Sequence, residues 1–300
     1  VADSATVTLN GAIIVGEDDE AYPWAGITCE GNCTIVLNGD NKVRGFYNSY
    51  PGIYVPSGST LTIKGDGSLD VGSNGKGAGI GCGKDIDCGN IEIEGGSIVA
   101  KGAWQGAAIG GAPGGSVGNI TISGGVIETR SDSSFAAGIG CGALATAGNI
   151  SIVGGTVKAV GSHAAAGIGG IYCSIERVLI SGDETHVEAV AGAQATYSIG
   201  IVDSYSENDI INHVFIAGVE TGEITDNRLE YPFTETYTIH FDKNGGDGTM
   251  EDQSAFCKLQ QVLTENAFTK NGSLFAGWNT EADGSGTHYV DMASVRNLAA

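Results

Sequence analysis

Short stretches along the first two thirds of the chain alternate apolar with polar positions and then break at glycine. GNIEIEGG, GNITISGG and GNISIVGG, beginning at Gly89, Gly118 and Gly148, show the pattern most plainly. Alternation with a period of two predicts strands that bury one face. The repeating unit is an apolar–x–apolar pair followed two residues later by glycine. The second apolar residue then falls at Leu9, Leu37, Ile63, Ile93, Ile122, Ile152, Ile180 and Ile216, with spacings of 28, 26, 30, 29, 30, 28 and 36. The glycines behind these positions are Gly11, Gly39, Gly65, Gly95, Gly124, Gly154, Gly182 and Gly218. A repeat this regular makes internal stacking the first hypothesis for the fold.

Each unit holds three strand signals. The pair just described is the first. The second lies around Val43, Leu69, Ile98, Val126, Val157 and Val187, and the third reads small–small–Ile with Ile27, Ile53, Ile80, Ile109, Ile139, Ile168 and Ile199 facing inward. Three short strands per turn, with β-branched residues inside and glycine at the corners, predict an all-β fold: a right-handed parallel three-sided β-helix of about eight coils over residues 1–234. The glycine after each first strand is expected at positive φ, where a Cβ would be strained. Asn90, Asn119 and Asn149 recur before the first strand, so their carboxamides should form a vertical column bonding the next coil's backbone. The irregular last spacing and the acidic stretch Asp203 to Asp209 suggest a modified terminal coil that shields the open end.

Composition sharpens this picture. Glycine accounts for 50 of 300 residues, but only 5 prolines and no strict triplet exclude collagen, and 41% hydrophobic content excludes disorder. Net charge is −21, which argues against nucleic acid and anionic lipid as partners. No apolar run is long enough to span a bilayer, so membrane insertion is not expected. The chain opens on a strand-like segment without a signal peptide, and reads as a mature or trimmed fragment. Seven cysteines without zinc-ligand spacing fit an oxidising, extracellular setting, at a bacterial surface or secreted. Cys29 with Cys33, Cys82 with Cys88, and Cys141 with Cys173 are positioned to pair, leaving Cys257 single; free buried thiols throughout are the alternative.

Residues 235–300 differ in character. The segment YTIHFDKNGGDGTMEDQ from Tyr237, followed by FTKNGSLFAGWNTEADGSGTHYVD from Phe268, resembles the Listeria–Bacteroides repeat, also called the internalin B-repeat. The resemblance implies a small β-grasp-like domain of the kind found in tandem on secreted bacterial proteins. Members finish on a further strand, and this chain stops at NLAA, so a truncated domain lacking its last strand is expected. More loosely, the glycine-rich coils are similar to repeats of adhesin-like and carbohydrate-binding β-helix proteins of gut bacteria.

Candidate chemistry is sparse. Glu92 and Glu94 point outward from one strand about 7 Å apart, within the range a glycosidase pair needs, but no basic or aromatic neighbour is predictable and a solvated face is the simpler reading. Glu17, Asp18, Asp19 and Glu20 could chelate calcium, although a solvated loop explains them as well. The histidines are scattered without metal-ligand spacing. No catalytic group, metal or cofactor is therefore assigned. Aromatics are more informative: Tyr22, Trp24, Tyr47, Tyr50 and Trp104 gather in the turns between second and third strands. Trp24 and Tyr50 stand three residues before Ile27 and Ile53, which should stack them on adjacent coils, and Tyr54 could extend the same surface. Such a row suits sugar rings, whose C–H bonds pack on π faces; padding of the core end is the competing explanation. The expected function is adhesion, with a glycan or host surface as partner and the chain acting as a monomer. The alternatives are a polysaccharide-degrading enzyme or a passive stalk.

Overall fold

A computed structural model describes the chain apart from residues 17–18, 132–134, 203–209, 233–235, 257–260, 296–297 and 299–300. Two compact units form, Val1–Pro232 and Phe233–Ala300.

The first unit is a parallel β-helix with three faces. On the first face the strands Ala5–Asn10, Cys33–Asn38, Thr60–Gly65, Asn90–Ile93, Ile120–Ile122, Thr146–Ile152, Ser174–Ile180 and Ile211–Ile216 pair in that order, all parallel. Seven parallel strands build the second face, from Ile13–Ile14 to Thr185–Val190, and seven build the third, from Ile27–Thr28 to Ile199–Val202. The solenoid thus completes seven turns and begins an eighth. β-branched side chains fill the interior because alternate residues point inward. Ile35, Ile63, Ile93, Ile122, Ile152 and Ile180 form one continuous buried column on the first face.

The register corrects the repeat alignment at its start. Ile63 pairs with Ile35 and not Leu37, which instead faces Gly65. In the first two coils the glycine falls two residues further along the register than in the third, so counting from it misplaces them by two residues. A shift of two preserves the inward face, and Leu9 and Leu37 are buried all the same. Val126 does not face inward: it is 56% exposed and Ile127 takes the core position, paired with Ile98. The glycine expectation is also revised. Positive φ occurs at Gly11, Gly39, Gly65, Gly182 and Gly218, but at Gly96, Gly125 and Gly155 where two glycines adjoin. In those coils the second glycine makes the turn. The first is kept small by close approach, since a Cβ on Gly154 would lie 2.1 Å from the Ser123 carbonyl oxygen.

Polar ladders run outside the apolar columns. Asn90 Oδ1 accepts from Asn119 N, and Asn119 Oδ1 from Asn149 N, each at 2.8 Å. The same contact extends toward the N-terminus, with Asn32 N donating to Asp3 Oδ1 and Thr60 N to Asn32 Oδ1, both at 2.9 Å. Along the corner between third and first faces, Cys29–Cys33, Cys82–Cys88 and Cys141–Cys173 are disulfides, with Cα separations of 6.2, 5.0 and 6.5 Å. Cys257 lies outside the described residues.

At its C-terminal end the solenoid reverses direction. Val219–Glu220 pairs antiparallel to Ile211–Ile216, Arg228–Tyr231 antiparallel to Thr185–Val190, and Ile224 bridges Ile199 antiparallel. All three faces are closed against further parallel addition there. The acidic stretch from Asp203 to Asp209 lies outside the described residues.

The second unit consists of three two-stranded antiparallel sheets. Thr236–Ile239 pairs with Gln253–Phe256, Gln261–Val262 with Ser294–Val295, and Trp278–Asn279 with His288–Tyr289. Asn279 holds the last hairpin together. Its Oδ1 accepts from Glu281 N and Gly286 N at 2.9 and 3.0 Å, and its Nδ2 donates to Gly284 O. Phe241, Phe268 and Phe275 surround Trp278, with ring centroids 4.8, 6.1 and 4.8 Å from it. These residues line a cavity of about 1030 Å³. Among the described residues neither unit contains a helix.

Candidate functional site

The corner between second and third faces is where large aromatic side chains of the β-helix reach solvent. In the first coil the turn runs from Ile14 to Ile27, longer than the Arg44-to-Ile53 turn of the second coil. Glycines let these turns stack closely. A Cβ on Gly77 would lie 2.5 Å from the Tyr50 backbone, and one on Gly106 would lie 2.6 Å from the Gly77 carbonyl oxygen. The backbones of successive turns therefore press together, and large side chains at this corner project sideways.

Tyr22, Trp24 and Trp104 are 45%, 56% and 48% exposed, whereas Tyr47 and Tyr50 are half-buried. Tyr22 packs on Trp24 with centroids 5.6 Å apart. From the second coil Phe46 meets Trp24, with centroids 6.3 Å apart, and Phe46 N donates to Trp24 O at 2.9 Å. Phe46 rather than Tyr50 is thus the ring opposite Trp24, because the longer first turn sets Trp24 against the start of the second. The Phe46 ring also lies against Gly16, where a Cβ would come within 2.2 Å of it. Tyr50 N donates to Tyr47 O, and Tyr50 O accepts from Ser73 Oγ, each at 2.9 Å.

Trp104 stands two coils beyond Tyr50, and Lys76 of the intervening coil fills the gap. Lys76 N donates to Asn48 O, and Lys76 Nζ lies 4.3 Å from the centroid of the Trp104 ring. Phe135 N continues the edge by donating to Trp104 O at 3.2 Å. Trp104 holds φ at +43°, a left-handed backbone that a bulky aromatic seldom adopts. Lys76 carries no ring and so stands outside the aromatic pattern that marks this edge in the sequence. Its position was recoverable, since Asn48, Lys76 and Trp104 follow one another in steps of 28. Tyr54 does not join this edge. Its hydroxyl donates to Asp87 O at 3.2 Å in the third-to-first corner, and burial, followed by the Asp87 charge, raises its pKa.

Elsewhere the geometry is plainer. Glu92 Oε2 accepts from Thr62 Oγ1 at 3.4 Å on an open strand face, with Thr121 on the other side. Glu92 and Glu94 lie side by side on that face and not across a groove. Glu17 and Asp18 fall outside the described residues, and Asp19 Oδ1 accepts from Ala21 N within its own turn. Among the described residues no group of three or more His, Cys, Asp or Glu is placed to hold a metal ion.

Residues 237–298 match the Listeria-Bacteroides repeat domain, and residues 91–115, 120–143 and 150–172 match the beta helix repeat family. Each of the three beta helix matches spans one coil from its first strand past its third. No curated protein and no solved structure matches the chain. Both repeat types are typical of extracellular proteins, and three disulfides fit the same location.

Proposed function

We propose that this extracellular repeat protein is an adhesin-like binder, and that the second-to-third corner of its β-helix holds a glycan on a host or bacterial surface. The exposure of Tyr22, Trp24 and Trp104 carries this reading. A side chain that merely padded the core would be buried, and leaving large rings half in water forgoes the stabilisation that burying them would bring. Tyr47 and Tyr50 supply the flanking contacts, with Phe46 as the ring that supports Trp24 from below. The chain acts as a monomer, and multivalency comes from repetition along the solenoid. A passive stalk would have no use for these exposed rings.

Trp24→Ala combined with Tyr50→Ala should abolish binding on a glycan array while the far-UV circular dichroism of the folded chain stays unchanged. Undiminished binding by the folded double variant would remove the corner from consideration.

A further inference from the structure

From the second to the fourth coil this corner departs in charge from the whole molecule, whereas the first-coil turn carries Glu17, Asp18, Asp19 and Glu20. In the second, third and fourth coils, the second-face strands Asp40–Arg44, Ser68–Gly72 and Ser97–Gly102 lead into turns that end at the third-face isoleucines. These strands and turns hold four cations, Lys42, Arg44, Lys76 and Lys101, against two acids, Asp40 and Asp70. The local balance is +2 on a chain of net charge −21. The bases also differ in how far they are committed. Arg44 is largely buried and spent on the protein, bonded to Asp70 Oδ2 at 2.6 Å and to the Val43 and Asp70 carbonyls. Lys101 is 3.8 Å from Asp70 and more than a third exposed. Lys76, one coil back, stands over the ring of Trp104, which lies three residues after Lys101.

From this arrangement we infer that the ligand of the corner is an acidic glycan, one bearing carboxylate or sulfate groups along its length. The inference rests on the glycan reading above and adds the charge of the ligand. Trp104 offers a flat apolar surface to a sugar ring, and its left-handed backbone presents that ring sideways at an energetic cost. The Lys76 ammonium lies over the indole in a cation–π contact, close enough to meet an acidic substituent of a sugar packed against Trp104. Lys101 supplies a second positive charge from the coil that carries Trp104. Coils repeat at about 4.8 Å, close to the advance of one pyranose residue in a linear chain, so a polymer laid along the axis meets equivalent positions in turn. Acids on the other faces repel a polyanion only weakly here, because at physiological ionic strength their field decays over about 8 Å, and the acidic first-coil turn directs the ligand toward Lys76, Lys101 and Trp104.

The matched probes are polygalacturonate and the same polymer fully methyl-esterified, which removes the charge and keeps the backbone. The intact chain should bind the acid form about ten-fold more tightly than the ester in affinity electrophoresis, the effect of one charged hydrogen bond. Lys76→Gln should erase that preference while leaving ester binding in place, and Lys76→Arg, which keeps the charge and the ring contact, should retain it. Lys158→Gln makes the same charge change in the sixth coil, where Lys158 faces Glu188, and should leave the preference intact. Dextran sulfate against dextran separates the two anions: preference for the sulfated form extends the class to sulfate esters, and its absence confines the class to uronates. Equal affinity for acid and ester would overturn the inference and leave the glycan reading standing. Failure to bind any of the four polymers would overturn the acidic-ligand inference, and the glycan array with Trp24→Ala and Tyr50→Ala then decides the glycan reading by itself.

Discussion

Single residues show where local pattern and tertiary demand part company. Asn41 occupies the register position of Leu69, in a column continued by Ile98, Ile127, Val157 and Val187, and it is buried. An isolated amide there would be costly. Asn41 is not isolated: its Oδ1 accepts from Ala12 N at 2.8 Å, and its Nδ2 donates to the carbonyls of Asn38, Gly39 and Ser68. It therefore ties the first three coils together where the first face turns into the second. Asn41→Leu matches the column's shape but strands those backbone groups, and should cost about 1–3 kcal/mol in chemical denaturation. Unchanged stability would mean that water takes over the bonds. Alternation revealed neither this residue nor the true inward partner in the fifth coil. The partners of Asn41 come from neighbouring coils, outside any local window. Val126 and Ile127 are both apolar, so period two cannot choose between them, and only the pairing with Ile98 does.

At the scale of strands and turns the third face sets the tightest limit. Its strands reduce to an isoleucine–glycine pair in the middle coils, and Gly81, Gly110, Gly140 and Gly169 hold φ between +130° and +143°. A Cβ on Gly140 would lie 1.9 Å from the Gly169 carbonyl oxygen, an overlap with rigid backbone. Gly58 separates strain from crowding, since its φ is +82° and nothing lies within 4 Å of its Cβ position. Gly58→Ala should cost about 1 kcal/mol, from backbone strain alone. Gly140→Ala should cost at least twice that, because the coils must also move apart. Equal losses in urea denaturation would assign the whole effect to φ and deny the crowding. The small–small–Ile signal made this face legible, since only residues without bulk fit between stacked turns. The aromatic corner was legible in its members but not in its order. The Phe46–Trp24 contact depends on the extra length of the first turn, and a repeat alignment treats such an insertion as a gap.

Across the molecule, stability in a stacked solenoid is a sum over neighbouring coils, so the placement of covalent staples matters as much as their number. Three disulfides lie along one corner, at the first, third and fifth-to-sixth steps, and they close loops of very different length: 4, 6 and 32 residues apart in sequence. The repeat spacing brought these pairs within reach of one another in the sequence but left free thiols as a competing state, because proximity does not fix oxidation. Nor could the repeat foretell the reversal that closes the C-terminal end, since Val219–Glu220 and Arg228–Tyr231 pair antiparallel, whereas the described face strands before them pair parallel. Cys29–Cys33 and Cys82–Cys88 constrain an unfolded chain little, each about 2 kcal/mol by loop-closure entropy, whereas Cys141–Cys173 joins consecutive turns and should contribute nearer 4 kcal/mol. Cys141→Ala with Cys173→Ala should therefore lower the denaturation midpoint more than Cys29→Ala with Cys33→Ala, each measured without reductant. The reverse order would mean that local opening of the first coil limits stability more than the entropy of the unfolded chain.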